Sequence, residues 1–112
     1  MRYMLLIYGD PTAPVEEGVF EEYGAFTQSI VDSKEFVAGD PLQGADTATT
    51  VRVRAGDTKT TDGPFAETKE VLGGYYIVDC KDLDRAIELA AQIPDSRTGS
   101  VEVRPVMELP GM

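Results

Sequence analysis

Arg2-Tyr-Met-Leu-Leu-Ile-Tyr8 runs apolar without alternating, with Met4, Leu5, Leu6 and Ile7 consecutive. Successive side chains of an extended chain point to opposite faces, so a strand of this kind is covered on both. Val71-Leu-Gly-Gly-Tyr-Tyr-Ile-Val-Asp-Cys80 has the same character, and its Gly73-Gly74 pair indicates a bulge or a close backbone approach. Both belong in the middle of a sheet, and the remaining segments arrange themselves around them.

After the Gly9-Asp10-Pro11 break, Pro14 suits the first turn of a helix, and Glu16 and Glu17 suit its positive end. Val15, Val19, Tyr23, Phe26 and Ile30 recur at three- and four-residue spacing, which predicts a helix down to about Lys34, weakened locally by Gly18 and Gly24. Phe36 to Ala38 reads as a short extended piece ended by Gly39-Asp40-Pro41. Thr47 to Ala55 alternates, with Val51 and Val53 on one face and Arg52 and Arg54 on the other. Gly56-Asp57 then predicts a two-residue hairpin turn into Thr58 to Thr61. Asp82 is placed to cap a second helix, whose stripe is Leu83, Ala86, Ile87, Ala90 and Ile93 and whose stop is Pro94. Ser100 to Val106 alternates as a last strand, and residues 106–112 read as a loose tail.

The order is β-α-β-β-α-β with an extra hairpin arm. This is an α+β, ferredoxin-like plan over a single domain, 1–112, with both helices on one face of an antiparallel sheet and the first and third main strands central. Helices cover only one side, so positions such as Leu5 and Ile7 on the other side call for a second copy. A homodimer packed sheet to sheet, closed into a barrel-like sandwich, is the expected assembly.

Composition narrows the function. Twenty acidic against ten basic residues give a net charge of −10. Most of this surface would repel a phosphate backbone or an anionic bilayer, so neither nucleic acid nor membrane is an expected partner. The run Tyr3 to Tyr8 is too short to cross a bilayer, and no basic segment precedes it to form a signal peptide. A lone Cys80 makes no internal disulfide, which points to a reducing, cytoplasmic setting. There is no histidine, which removes the usual general base near neutral pH, the Ser-His and Cys-His pairs and the commonest metal ligand. Acid–base chemistry would fall to carboxylates, Tyr, Lys or Cys80. Carboxylates lack metal-loop spacing and no glycine loop cradles a phosphate, so no metal and no cofactor is expected.

Asp62-Gly-Pro-Phe-Ala-Glu-Thr-Lys-Glu70 joins a stiff turn to an alternating charged run. Gly63 tolerates positive φ and Pro64 fixes the exit direction. If the run is extended, Phe65, Glu67, Lys69 and Val71 share one face. The segment resembles the signature of the YCII-related, DGPF-type domain family. Arg2-Tyr-Met-Leu-Leu-Ile-Tyr-Gly9, Leu72-Gly-Gly-Tyr-Tyr-Ile-Val78 and Gly99-Ser-Val-Glu-Val-Arg-Pro-Val106 support the match over nearly the whole chain. The resemblance implies a dimeric α+β barrel with a small-molecule cleft between the facing sheets, and a link to a sigma-factor regulatory system. Relatives are associated with a dehydrochlorinase-type elimination that uses a His-Asp dyad. Without histidine that dyad does not carry over, although Asp40 stands near where its acidic member would be.

Candidate cleft residues are Tyr8, Asp40, Arg52, Asp62, Phe65, Glu67 and Lys69. Each has a plainer reading. Asp62 forms a turn, Phe65 plugs a core, Glu67 and Lys69 make a solvated pair, and Arg52 with Arg54 coats a wet hairpin face. Tyr8 is both core and polar handle, Arg104 is similarly two-sided, and Cys80 is half buried and inert. The favoured function is a homodimer that binds a small organic ligand or regulates a partner. The alternatives are a cofactor-free lyase or isomerase, with Glu67 or Asp62 as base and Lys69 or an arginine holding an oxyanion, and a scaffold with no cavity.

Overall fold

The computed structural model, which describes residues 1–111, builds one sheet around the two strands that lack a polar face. In chain order the elements are β1 (Arg2–Gly9), α1 (Val19–Asp32), β2 (Phe36–Pro41), β3 (Thr49–Arg54), β4 (Asp57–Asp62), β5 (Val71–Asp79), α2 (Leu83–Ala91) and β6 (Ser100–Pro105). Single 3-10 turns cover Ala45–Thr47 and Pro94–Ser96. The main sheet runs β2-β5-β1-β6 with every pair antiparallel, and β3-β4 is a separate hairpin. This is the ferredoxin-like α+β plan with β1 and β5 central.

Tyr3, Leu5 and Ile7 of β1 lie with Tyr76 and Val78 of β5 against Phe26 and Ile30 of α1 and Leu89 and Ile93, and these residues form the core. The expectation that Leu5 and Ile7 face away from the helices is corrected by this. The pleat turns the odd-numbered residues of β1 inward and leaves Met4, Leu6 and Tyr8 on the other face. Register sets Met4 beside Ile77, Leu6 beside Tyr75 and Tyr8 beside Leu72, so that open face is still apolar. The pairing slips between Ile7 and Tyr8, because Ile7 faces Gly74 while Tyr8 faces Leu72. Gly73 is thus the extra residue of a bulge, as the paired glycines suggested.

α1 starts later than the stripe predicts. Gly18, at φ 79°, breaks the helical path immediately before Val19, and Val15 is left 73% exposed. Residues 10–18 form a loop instead. Asp10 accepts from the Thr12 backbone N–H at 2.8 Å and from its hydroxyl at 2.7 Å, which closes a turn that competes with a helix start. Arg97 fastens this loop by bridging Glu16 at 3.2 Å and Glu22 at 2.6 Å. β2 continues through Gly39-Asp40-Pro41 rather than ending there, since β5 pairs with it as far as Pro41.

α2 is capped as expected, with Asp82 accepting from the Arg85 N–H at 2.9 Å. Its buried side is Ala86, Leu89 and Ala90, whereas Leu83 and Ile87 are exposed. Those two lie roughly a quarter turn or more from the centre of the buried stripe. The arm turns at Ala55-Gly56, one residue earlier than predicted. Both carry positive φ, 51° and 81°, as a type I′ turn requires, and Asp57 already pairs with Arg54. No residue of β4 is buried. The arm helps to give the molecule extents of 47 × 44 × 18 Å and a radius of gyration of 16.0 Å. About 13 Å is usual for a compact domain of this size. Of the expected tail, Val106 is tied down, its N–H donating to Arg2 O at 2.9 Å, and residue 112 lies outside the described residues.

Candidate functional site

A cavity of about 390 Å³ opens between α1 and the β2-β5 edge of the sheet. α1 contributes Phe20, Tyr23, Gly24 and Thr27, which fall on one side of the helix by their three- and four-residue spacing. The sheet supplies Ile7, Phe36, Gly39, Gly74 and Tyr76, and Asp95 closes one end from the turn after α2. Glycines make this space. A Cβ on Gly39 would come within 2.7 Å of the Tyr76 ring, and one on Gly74 within 3.1 Å of the Asp40 carbonyl, so side chains there would push the wall apart. A Cβ on Gly24 would meet nothing within 4 Å, so the helix leaves the opening clear at that point.

The aromatic wall is held in place. Tyr76 packs edge-on against Phe26 at 5.2 Å between ring centroids and against Phe36 at 6.4 Å. Its hydroxyl shares a 2.7 Å hydrogen bond with the Thr27 hydroxyl, which links β5 to α1 across the cavity floor. Burial, with the charge of Asp95 second, pushes the Tyr23 phenol far above its usual range, so this group stays protonated. Phe20 is 79% exposed and stands as an uncovered ring on the border of the space.

The sequence-derived candidates do not gather in one place. Asp40 borders the cavity through β2, and its carboxylate accepts from the Tyr75 hydroxyl at 3.0 Å. That bond raises the Tyr75 phenol above its ordinary value. Register places both side chains on the open face, since Asp40 pairs with Tyr75 while Gly39 pairs with the inward Tyr76. Tyr8 and Phe65 border a second depression of about 610 Å³, between the open face and the base of the arm. Phe65 plugs no core, because it is 79% exposed.

Residues 63–70 bend rather than extend, which removes the shared face predicted for Phe65, Glu67 and Lys69. Gly63, at φ 97°, turns the chain out of β4 and anchors it through its N–H to Ala48 O at 2.7 Å. Glu67 and Lys69 take no part in the ion pairs of the described residues. Arg52 is exposed on the arm, opposite Lys59, and Asp62 ends β4 opposite Thr49. Arg104 is held by Glu102 two residues before it. Cys80 is buried, and burial followed by the charge of Glu35 pushes its thiol up, away from the thiolate a nucleophile needs. Among the described residues no three Cys, Asp or Glu side chains are grouped as a metal would need, and no helix is long and apolar enough to cross a membrane.

Sequence reasoning missed Tyr23, Thr27, Phe36, Tyr76 and Asp95 as site residues. They come from four elements distant in the chain. The signal that could have found them is Gly24 on a helix stripe, set against glycines in both facing strands.

A solved structure of similar fold is 5-chloro-2-hydroxyhydroquinone dehydrochlorinase from Burkholderia phenoliruptrix, in complex with 2,5-dihydroxybenzoquinone. It matches 96% of this chain and 94% of its own at 13% identity, with a TM-score of 0.53. A likeness at that identity shows the fold. A curated relative, an uncharacterised protein of Rhizobium meliloti, is 36% identical over 114 residues, covering 95% of this chain and 92% of the relative. The model of the YCII-related domain matches residues 1–110. With the family model and the relative both spanning nearly its full length, the chain belongs to the YCII-related domain family.

Proposed function

We propose that this protein is a homodimeric binding module that takes a small organic molecule into the cavity beneath α1. The observation that carries the reading is the cavity itself. Its size falls in the range of about 300–1,000 Å³ typical of ligand pockets. Its walls are mainly aromatic and aliphatic, and a few fixed polar groups, the Tyr23, Thr27 and Tyr76 hydroxyls and Asp95, are able to orient a guest. The dimer half of the proposal rests on the open face, where Met4, Leu6, Leu72, Tyr75 and Ile77 form an apolar surface that the helices leave uncovered.

The neighbour named as a dehydrochlorinase holds a one-ring ligand, which suits a space of this volume. Its chemistry does not follow. The chain has no histidine, and Asp62, Glu67 and Lys69 border no part of the cavity.

A thermal-shift screen of one-ring and smaller organic compounds tests the reading. Saturable stabilisation of the wild-type protein that disappears in Gly24→Leu supports it. A screen with no hit overturns it, and steady turnover of a bound compound would replace it with an enzymatic function.

A further inference from the structure

We infer that the molecule this cavity selects is an organic cation, an amine or quaternary ammonium no larger than a single-ring compound. The inference rests on the proposed binding role and narrows it to a chemical class. Five aromatic residues line the space, and with Tyr75 turned to the open face the rings of Phe20, Tyr23, Phe36 and Tyr76 are left to border it. The faces of such rings are electron-rich and attract cations within about 6 Å.

The charge in the walls has one sign. Asp95 takes part in none of the ion pairs of the described residues, and no lysine or arginine borders the cavity. A smaller recess of about 250 Å³ shares Phe20, Tyr23 and Asp95 and adds Asp10 and Glu16, again with no lysine or arginine in its lining. Arg97, beside this recess, is already engaged by Glu16 and Glu22, and the charge of Lys69 is felt at Asp10. A carboxylate or phenolate guest would therefore meet like charge and no counter-ion, inside a protein whose net charge is −10. A neutral guest would take water from Asp95, which has the Tyr23 phenol beside it, and bring no counter-charge. A cation meets both ring faces and a carboxylate that no basic side chain pairs.

Calorimetric titration of the full chain with matched probes tests this. Choline and its carbon isostere 3,3-dimethylbutan-1-ol have nearly the same shape and differ in charge, and benzyltrimethylammonium adds a ring. 2,5-Dihydroxybenzoquinone, ionised at neutral pH, supplies the anion. The expected result is that choline binds on the order of tenfold more tightly than its isostere. The benzyl cation should bind more tightly still, and the quinone anion should give no heat. Asp95→Asn should cancel most of the preference for choline over the isostere. Phe20→Leu, at an exposed position where folding is not at stake, should weaken both cations on its own. Equal affinity for choline and the isostere, or tighter binding of the anion, would overturn the cation assignment while leaving the binding role intact. Silence from every probe overturns the assignment, and a blank screen of neutral compounds alongside it removes the binding role as well.

Discussion

Gly24 couples helix stability to access to the cavity. Glycine inside a helix costs about 0.5–1 kcal/mol relative to a good helix former. Here it also keeps an opening clear, since a Cβ at this position would touch nothing. Gly24→Leu should therefore raise the unfolding midpoint while abolishing the ligand-induced thermal shift. A variant that is more stable and still binds would show that the space beneath α1 is not the site. Glu35 is a different case, a mainly buried carboxylate that fastens the start of β2 to α2. It accepts from Arg85 Nε at 2.9 Å, Arg85 Nη2 at 2.8 Å and Ser33 Oγ at 2.7 Å. The bonds from Arg85 hold its carboxyl below the ordinary glutamate value. A depressed value means stability that is present above about pH 4.3 and is lost as the pH falls through the lower folded-state value. Glu35→Gln should thus show a shallower loss of stability on acidification than wild type. Near neutral pH it should cost about 1–2 kcal/mol, because Arg85 keeps Glu88 at 3.0 Å as a partner. Thermal melts between pH 3 and 7 check both expectations, and parallel curves for the two proteins would contradict the assignment.

At the scale of elements, hydropathy pattern was the most legible feature of the sequence. The non-alternating runs of β1 and β5 identified the central strands, the Gly73-Gly74 pair marked a real bulge, and Asp82 does cap α2. Element ends were less legible, because they depend on backbone angles and pairing rather than on periodicity. The α1 stripe continued in sequence back to Val15, yet Gly18 in the left-handed region and the Asp10-Thr12 turn stopped the helix at Val19. The hairpin turn slipped by one residue, since a strand pair decides its own register and Ala55 was not an obvious residue for positive φ. The charged run after Pro64 lacks a pairing partner and so never became a strand, which dispersed the expected site. The arm itself has almost no packing to hold it. Its persistence rests on the turn, where Ala55 is the unfavourable residue at a position that suits Asn or Gly. Ala55→Asn should slow amide exchange along Thr49–Arg54 and Asp57–Asp62 several-fold, without altering ligand affinity. Unchanged exchange would mean that contacts other than the turn sustain the arm.

For the whole molecule, the decisive property is that one face of the sheet carries helices and the other carries Met4, Leu6, Leu72, Tyr75 and Ile77 with no helix over them. Light scattering at micromolar concentration should give about 24 kDa, twice the 12.2 kDa of one chain. Leu6→Lys, which sets a charge in the middle of that face, should shift the species towards the monomer. A wild-type mass of one chain would remove the dimer from the account and leave the cavity untouched, because its lining lies on the helix side. The cavity is the central claim, and amide chemical-shift mapping tests it most directly, by titrating the tightest compound of the thermal-shift screen, whatever its charge, into the ¹⁵N-labelled protein. The account predicts saturable shifts clustered at Gly24, Thr27, Gly39, Gly74, Tyr76 and Asp95, with the arm and residues 63–70 unmoved. Shifts confined to Tyr8, Phe65 and Leu72, around the depression beneath the arm, would contradict it.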